Sequence, residues 1–255
     1  MDDDDLLAAA IAEEAGGLLL GLRASLGFDD PARLRAAGDR QAHELIAGRL
    51  AEARPGDAVL SEEAADSAER LTARRVWIVD PLDGTREYGE SGRADWAVHV
   101  ALWERGAGLV AGAVALPAQA LVLSAGSGEV AGDEWRLPRS AGQRSPGAPR
   151  VVVSRTRPPA EAERVLRALD GVPLPMGSAG AKIAAVVRGE AEVYVHSGGQ
   201  YQWDSAAPVA VALAAGLHAS RVDGSPLVYN EPDLRLPDLV VCVPALAEAV
   251  LGAIA

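Results

Sequence analysis

Leu6, Leu7, Ala10, Ile11, Ala15, Leu18, Leu19, Leu22 and Leu26 recur at helical spacing, which predicts a helix over 6–26. A loop with Asp29, Asp30 and Pro31 follows, then a second helix from Gly38 to Ala53 with Leu45, Ile46 and Leu50 on one face. Pro55 and Gly56 end it. Two short apolar runs, 58–60 and 75–79, read as strands that run into the polar strings SEE (61–63) and DPLDGT (80–85). Residues 95–135 read as an antiparallel meander with turns at 104–108, 117–119 and 126–128. The stretch 139–149, rich in Ser, Gly, Pro and Arg, is the expected boundary between two subdomains, 1–145 and 146–255. Beyond it, strands at 151–154, 172–175, 191–195, 217–220 and 239–243 are expected with helices at 159–169, 179–188, 204–215 and 244–253. Helices and strands alternating around a meander predict a layered α+β architecture.

Composition narrows the function. Of 255 residues, 24 are basic and 36 acidic, a net charge of −12. A chain so short of positive charge is a poor match for a nucleic-acid polymer or an anionic membrane. No apolar run reaches the length of a membrane span. The four aspartates at 2–5 do not resemble a secretory leader, so the expected location is the cytoplasm. Cys242 is the only cysteine, set in the strand-like LVVCVP, which leaves no intrachain disulfide and no cysteine-built metal centre. A small anionic substrate remains compatible, provided a metal or a nest of amides receives it.

The chemistry is concentrated in WIVDPLDGTREY, 77–88, where an apolar strand ends in two aspartates three residues apart. Pro81 restricts the backbone and Gly84 permits an unusual turn, so that Asp80, Asp83 and the Leu82 carbonyl can converge on one point. An all-oxygen set of this kind suits Mg²⁺ or Mn²⁺. The N–H groups of Gly84, Thr85 and Arg86 at the start of the following turn suit a phosphate. Taken alone, Ser61 and Glu63 read as a helix N-cap with an acidic first turn, Asp204 as another N-cap and Asp39 as a helix-start aspartate. Their recurrence at element junctions beside a phosphate-binding turn is what sets them apart.

The strings GD (38–39), SEE (61–63), DPLDGT (80–85), GSAGAK (177–182) and WDSAA (203–207) occur in the order of the inositol monophosphatase superfamily of lithium-sensitive, magnesium-dependent phosphatases, which the chain resembles over nearly its whole length. AVLSEEA, VWIVDPLDGTREY, DWAVHVALW and LHASRVDGSPLVYN are most similar to the bacterial CysQ branch of 3′(2′),5′-bisphosphate nucleotidases, actinobacterial members above all. The resemblance implies an α–β–α–β–α sandwich of the inositol monophosphatase and fructose bisphosphatase type. It implies one ion on Glu62, Asp80 and the Leu82 carbonyl, a second on Asp80, Asp83 and Asp204, and a third, weaker magnesium on Glu62. Mn²⁺ would substitute. Thr85 would position the attacking water with Asp39 behind it, and the amides of Gly84 and Thr85 would bind phosphate. Ser178 and Lys182 would line the nucleotide site and Asp204 would face the substrate; His196, Gln200 or Tyr201 is expected to contact the substrate where the family's carboxylate is missing. Arg86 and Arg221 are weaker candidates for a second phosphate. The expected reaction removes the 3′-phosphate of 3′-phosphoadenosine 5′-phosphate, or of its sulfated relative, to leave adenosine 5′-phosphate or its sulfated form. The alternatives are a broad phosphatase of inositol phosphates and fructose 1,6-bisphosphate, and a catalytically silent ligand-binding member. The inositol-specific branch carries a carboxylate seven residues before the last metal aspartate, where this chain has Ser197. Pro208 replaces a common glycine at what reads as a first helical turn. Dimers are common in the superfamily, and the meander offers an apolar surface for a homodimer. Asp83→Asn is expected to cost catalysis more than folding, and relief of repulsion to raise the melting temperature of the metal-free protein. Lys182→Met is expected to raise KM for the bisphosphate nucleotide and to spare a substrate with one phosphate.

Overall fold

The structure, a computed structural model, describes residues 3–126 and 147–255. Two long helices, α1 (Asp3–Leu26) and α2 (Pro31–Ala53), open the chain. The second starts seven residues before the expected Gly38. Asp30 accepts the Arg33 N–H as N-cap and Pro31 stands in the first turn, where its missing N–H costs nothing. Asp39 therefore lies well inside α2, not at a helix start.

The first sheet runs in the order β1 (Ala58–Ser61), β2 (Arg75–Asp83), β3 (Ala97–Glu104), β4 (Gly108–Leu116), β5 (Leu121–Ser124). β1 and β2 are parallel; the other neighbours are antiparallel. The meander turns at 104–108 and 117–119 are present. The turn at 126–128 and the boundary at 139–149 lie wholly or largely outside the described residues. No helix follows SEE: the Ser61 hydroxyl is 3.0 Å from His43 Nδ1 instead of capping, and a turn leads to a short 3₁₀ segment at Ala68–Leu71.

The second sheet has the order β7 (Val172–Met176), β6 (Arg150–Ser154), β8 (Val193–Ser197), β10 (Asp238–Cys242), β9 (His218–Ser220), parallel across β7–β6–β8 and antiparallel across β8–β10–β9. Its helices are α4 (Ala160–Ala168), α5 (Ala179–Val187), α6 (Gln202–Ala214) and α7 (Ala247–Ile254). α1 and α2 cover the outer face of the first sheet through a core of Leu19, Leu34, Ile46, Trp77, Val79 and Val100. α5 and α6 fill the space between the two sheets, and α4 and α7 close the far side. The layers are thus α, β, α, β, α, as expected. α6 begins at Gln202, so Pro208 falls in its second turn rather than its first. There it deprives the Asp204 carbonyl of its helical donor. Among the described residues no helix is long and apolar enough to cross a membrane.

Candidate active site

β2 does not stop at Val79 but continues through Asp83, and a bulge makes this possible. Asp80 pairs with His99, and the next partners are Asp83 and Ala97. Three steps on β2 match two on β3, so one residue is extra. In a regular strand, residues three apart point to opposite faces. Val76 and Ile78 face the middle layer, and Asp80 follows their alternation. After the extra residue the alternation is reversed: Leu82 packs with Trp77 and Val79 on the outer face, and Asp83 turns to the middle layer beside Asp80. Pro81, which lacks an N–H, sits within the bulge, where a strand tolerates it.

Asp204 reaches the same place from α6. It is the third residue of that helix, and its carboxylate accepts the Tyr201 N–H at 2.6 Å. It is therefore not the N-cap itself. Asp80, Asp83 and Asp204 each offer an oxygen, and these oxygens lie within 4.8 Å of one another. Buried carboxylates this close raise one another's pKa unless something compensates. Desolvation first, then Glu62, Asp83 and Asp204, holds Asp80 well above its usual range. Desolvation and Asp83 push Asp204 to about 7. Glu62 is exposed as a residue, but its carboxyl group packs toward Asp80, and desolvation first and the neighbouring acids next raise it to about 7. Asp83 is the exception. Burial would raise it, but His99, the Gly180 N–H and Lys182 overcome this and hold it below the usual range. Its two oxygens accept the Ala179 and Gly180 N–H groups at 3.2 and 2.6 Å.

The donor set fits a divalent cation. Asp80 Oδ2 is buried with no hydrogen-bond partner, and the surrounding ligands are all oxygen. Glu62 stands beside this triad rather than within it.

Gly84, at φ 82°, turns the chain from β2 into the single-turn helix α3 (Thr85–Tyr88). The Thr85 hydroxyl is 3.1 Å from the Leu82 carbonyl and 3.5 Å from Asp39 Oδ1, so a residue inside α2 meets the turn after β2. A side chain at Gly38 would collide with the Tyr88 ring, and glycine there lets α2 approach closely enough for this contact. Desolvation first, then Glu63, raises Asp39 to about 6.

A cavity of about 430 Å³ opens at Asp83, Thr85 and Asp204. Asp83, Gly84, Thr85 and Asp204 line one part, and Ser178, Lys182, His196 and Gln200 another, with Arg86 and Arg157 contributing positive charge and Arg155 bound to Glu87 and Glu90. Ser178 caps α5 through the Ala181 N–H. Lys182 is not solvent-facing: it is 5% exposed, with Nζ 5.1 Å from the centre of the Tyr194 ring. His196 is pushed down to about 4, by desolvation first and Lys182 second, and is neutral at pH 7. Tyr201 is not part of the lining; it stacks on Trp203 with ring centres 4.9 Å apart. Arg221 is bound to Asp238, outside the cavity. The sequence reading missed Arg155 and Arg157, which follow β6 in SRTRPP, and it missed His99. Two arginines leaving a strand next to a phosphate-binding turn were the available signal.

The sequence pattern of the Inositol monophosphatase family matches residues 29–253. A Mycobacterium bovis protein described as a 3′-phosphoadenosine 5′-phosphate phosphatase is 52% identical over 246 residues, covering 95% of this chain and 90% of the relative. The Escherichia coli K12 3′(2′),5′-bisphosphate nucleotidase CysQ is 34% identical over 195 residues, 76% of this chain and 78% of its own. Among solved structures, CysQ from Bacteroides thetaiotaomicron, described as a bacterial member of the inositol monophosphatase family, superposes with a TM-score of 0.78 at 27% identity, over 95% of this chain and 98% of that one. Pattern, relatives and layered architecture agree along almost the whole length, and this chain belongs to the inositol monophosphatase family.

Proposed function

We propose that the chain hydrolyses the 3′-phosphate of 3′-phosphoadenosine 5′-phosphate, releasing adenosine 5′-phosphate and inorganic phosphate, and that its sulfated relative is a second substrate. The observation that carries this is the cavity: an acidic, threonine-bearing end suited to phosphate hydrolysis continues into a part where Arg86 and Arg157 are exposed, with no carboxylate of the described residues within ion-pair distance. A substrate with two separated phosphates uses both. The names of the M. bovis and E. coli relatives support the same reading.

Glu62, Asp80 and the Leu82 carbonyl would hold one magnesium, and Asp80, Asp83 and Asp204 a second, with a third resting on Glu62. When bound, such cations neutralise the phosphate and acidify the attacking water. The protein's own groups do the rest. Thr85 Oγ1 accepts a hydrogen bond from that water and orients it, while the threonine proton turns from the Leu82 carbonyl to Asp39 Oδ1. A base near 6 is matched to that task at neutral pH. The amides of Gly84 and Thr85 hold the phosphate oxygens. Between Val195 and Trp203 no carboxylate is available to a sugar hydroxyl, which weighs against the inositol reading. The intact acids and Thr85 weigh against a silent member.

Steady-state kinetics with the bisphosphate nucleotide, inositol 1-phosphate and fructose 1,6-bisphosphate, each with Mg²⁺ and after exhaustive chelation, test the proposal. The nucleotide should give the highest kcat/KM and chelation should abolish turnover. A higher kcat/KM for inositol 1-phosphate would overturn the nucleotidase reading, and full turnover in chelator the metal reading.

The basic residues of the cavity should separate in the same assay. Arg157→Ala should raise KM for the nucleotide about tenfold, the lower end of what a charge-assisted hydrogen bond supplies, and leave a substrate with one phosphate unaffected. Lys182→Met should instead impair both substrates. Its ammonium lies buried among Asp83, Glu87, Asp204 and Asp95, so it acts on the acid cluster rather than on a second phosphate. This revises the expectation drawn from the sequence. Equal losses on both substrates for Arg157→Ala would refute the assignment.

A further inference from the structure

His99 is fully buried in β3, between Ala97 and Ala101 on the same face, where packing alone asks for another small apolar residue. Instead its imidazole touches three separate segments. Nε2 is 3.2 Å from Asp83 Oδ2, within ion-pair range though off the axis of a hydrogen bond. Nδ1 is 3.2 Å from the carbonyl oxygen of Trp203, the residue directly before Asp204. The ring edge lies against Gly180 in the first turn of α5, where a Cβ would collide with Nε2 and would also crowd Ala97. Gly180 in turn donates its N–H to the same Asp83 oxygen.

We propose that His99 is a positioning residue that sets the separation of Asp83 and Asp204, and that Gly180 is glycine so that the ring can stand there. The two aspartates come from different sheets' connections, on β2 and α6, and their backbones are far apart in sequence. The imidazole spans them, with one nitrogen toward the carboxylate of the first and the other toward the peptide preceding the second. Without it, Asp83 remains tied to α5 by its two amides, while the first turn of α6 loses its link to the first sheet at this point. The acid triad then loosens and binds a divalent cation more weakly. The inference rests on the metal reading proposed above.

Calorimetric titration of Mn²⁺ into metal-free protein, without substrate, is the test, with circular dichroism as the check on folding. Loss of such an orienting contact typically weakens metal binding about 10- to 100-fold. His99→Ala should fall in that range, and His99→Gln, which keeps an N–H donor, should recover part of the loss. Gly180→Ala should weaken binding in the parent but have a much smaller further effect in the His99→Ala background, where the ring it displaces is absent and only the contact with Ala97 remains. A parent that binds no Mn²⁺ would sink the metal reading itself. A parent that binds, with His99→Ala titrating identically, would overturn the positioning role alone. Additive losses for His99→Ala and Gly180→Ala would do the same. If His99→Ala does not fold, His99→Gln and Gly180→Ala carry the test: Gly180→Ala binding as tightly as the parent overturns the proposal.

Discussion

The Asp80→Asn variant is expected to lose at least about three decades of turnover, about 4 kcal/mol of barrier, and still to melt higher than the parent when metal is absent. The first effect follows from the place of Asp80, which both proposed ions would share. The second follows from its cost. A carboxylate held far above its ordinary pKa by burial and by three acidic neighbours destabilises the folded state at neutral pH, and its Oδ2 has no hydrogen-bond partner to offset this. Removing the charge at constant shape should return about 1–2 kcal/mol, or about 3–6 °C for a chain of this size. Asp83→Asn should do the opposite. Asp83 is the one acid of the cluster below its usual range, and it accepts two N–H groups from α5 beside His99. An amide has a single acceptor oxygen, so one α5 N–H would meet a donor. The loss of charge-assisted bonds, about 2–3 kcal/mol, should lower the metal-free melting temperature by about 5–10 °C. The expectation that Asp83→Asn would stabilise the metal-free protein is thereby reversed. Scanning calorimetry in chelator separates the variants. If Asp80→Asn melts below the parent, the buried charge is compensated and the argument fails; normal turnover would place the chemistry elsewhere.

In chelator the parent should be more stable at pH 5.5 than at pH 8, by about 3–8 °C in melting temperature. Asp39 is raised from 3.8 to about 6, Glu62 from 4.5 to about 7 and Asp204 from 3.8 to about 7. Between about pH 4 and pH 7 the folded chain therefore holds protons that the unfolded chain has released, and stability falls as pH rises through that window. Asp83 has the opposite sign: its contribution is present above its unfolded pKa and is lost only as the pH falls through its depressed folded value. Divalent metal should reverse the order. At pH 8, metal at a hundred times its Kd adds about 2.7 kcal/mol, whereas at pH 5.5 it must displace protons and adds little. A chelated melting temperature that does not change from pH 5.5 to pH 8 would rule out this account of the cluster.

Most elements are legible in the sequence: α4 from its amphipathic periodicity, β6 and α5 as short apolar runs that prove buried throughout, and the breakers between them. The errors have physical causes. The string Asp30-Pro31 suggests a loop because proline breaks helices, although an aspartate followed by proline is also how a helix begins. The sequence of β2 suggests an end at Val79, because two acids and a proline follow. Alternation along a strand is informative only while the register is regular, and a bulge leaves no mark in it. The acids were found through their strings, but which of them carries the burial cost depends on neighbours brought in from α5 and β3. The sequence likewise assigns Lys182 to a second phosphate, because the carboxylates around its ammonium come from other elements. His99 was hidden in an apolar strand, yet its place between Ala97 and Ala101 on the inward face was a readable signal.

The extra residue in β2 also limits how this protein can be rebuilt. Flattening the bulge with every residue kept would extend the regular alternation of β2 through Asp83 and, by the ordinary rules for sheets, give a better strand. It would also swap the faces, sending Leu82 toward the middle layer and Asp83 into the apolar contact with α2. A redesign that regularises the strand would thus gain sheet stability and break up the acid cluster in one step. Substitutions along β2 must therefore leave the bulge in place.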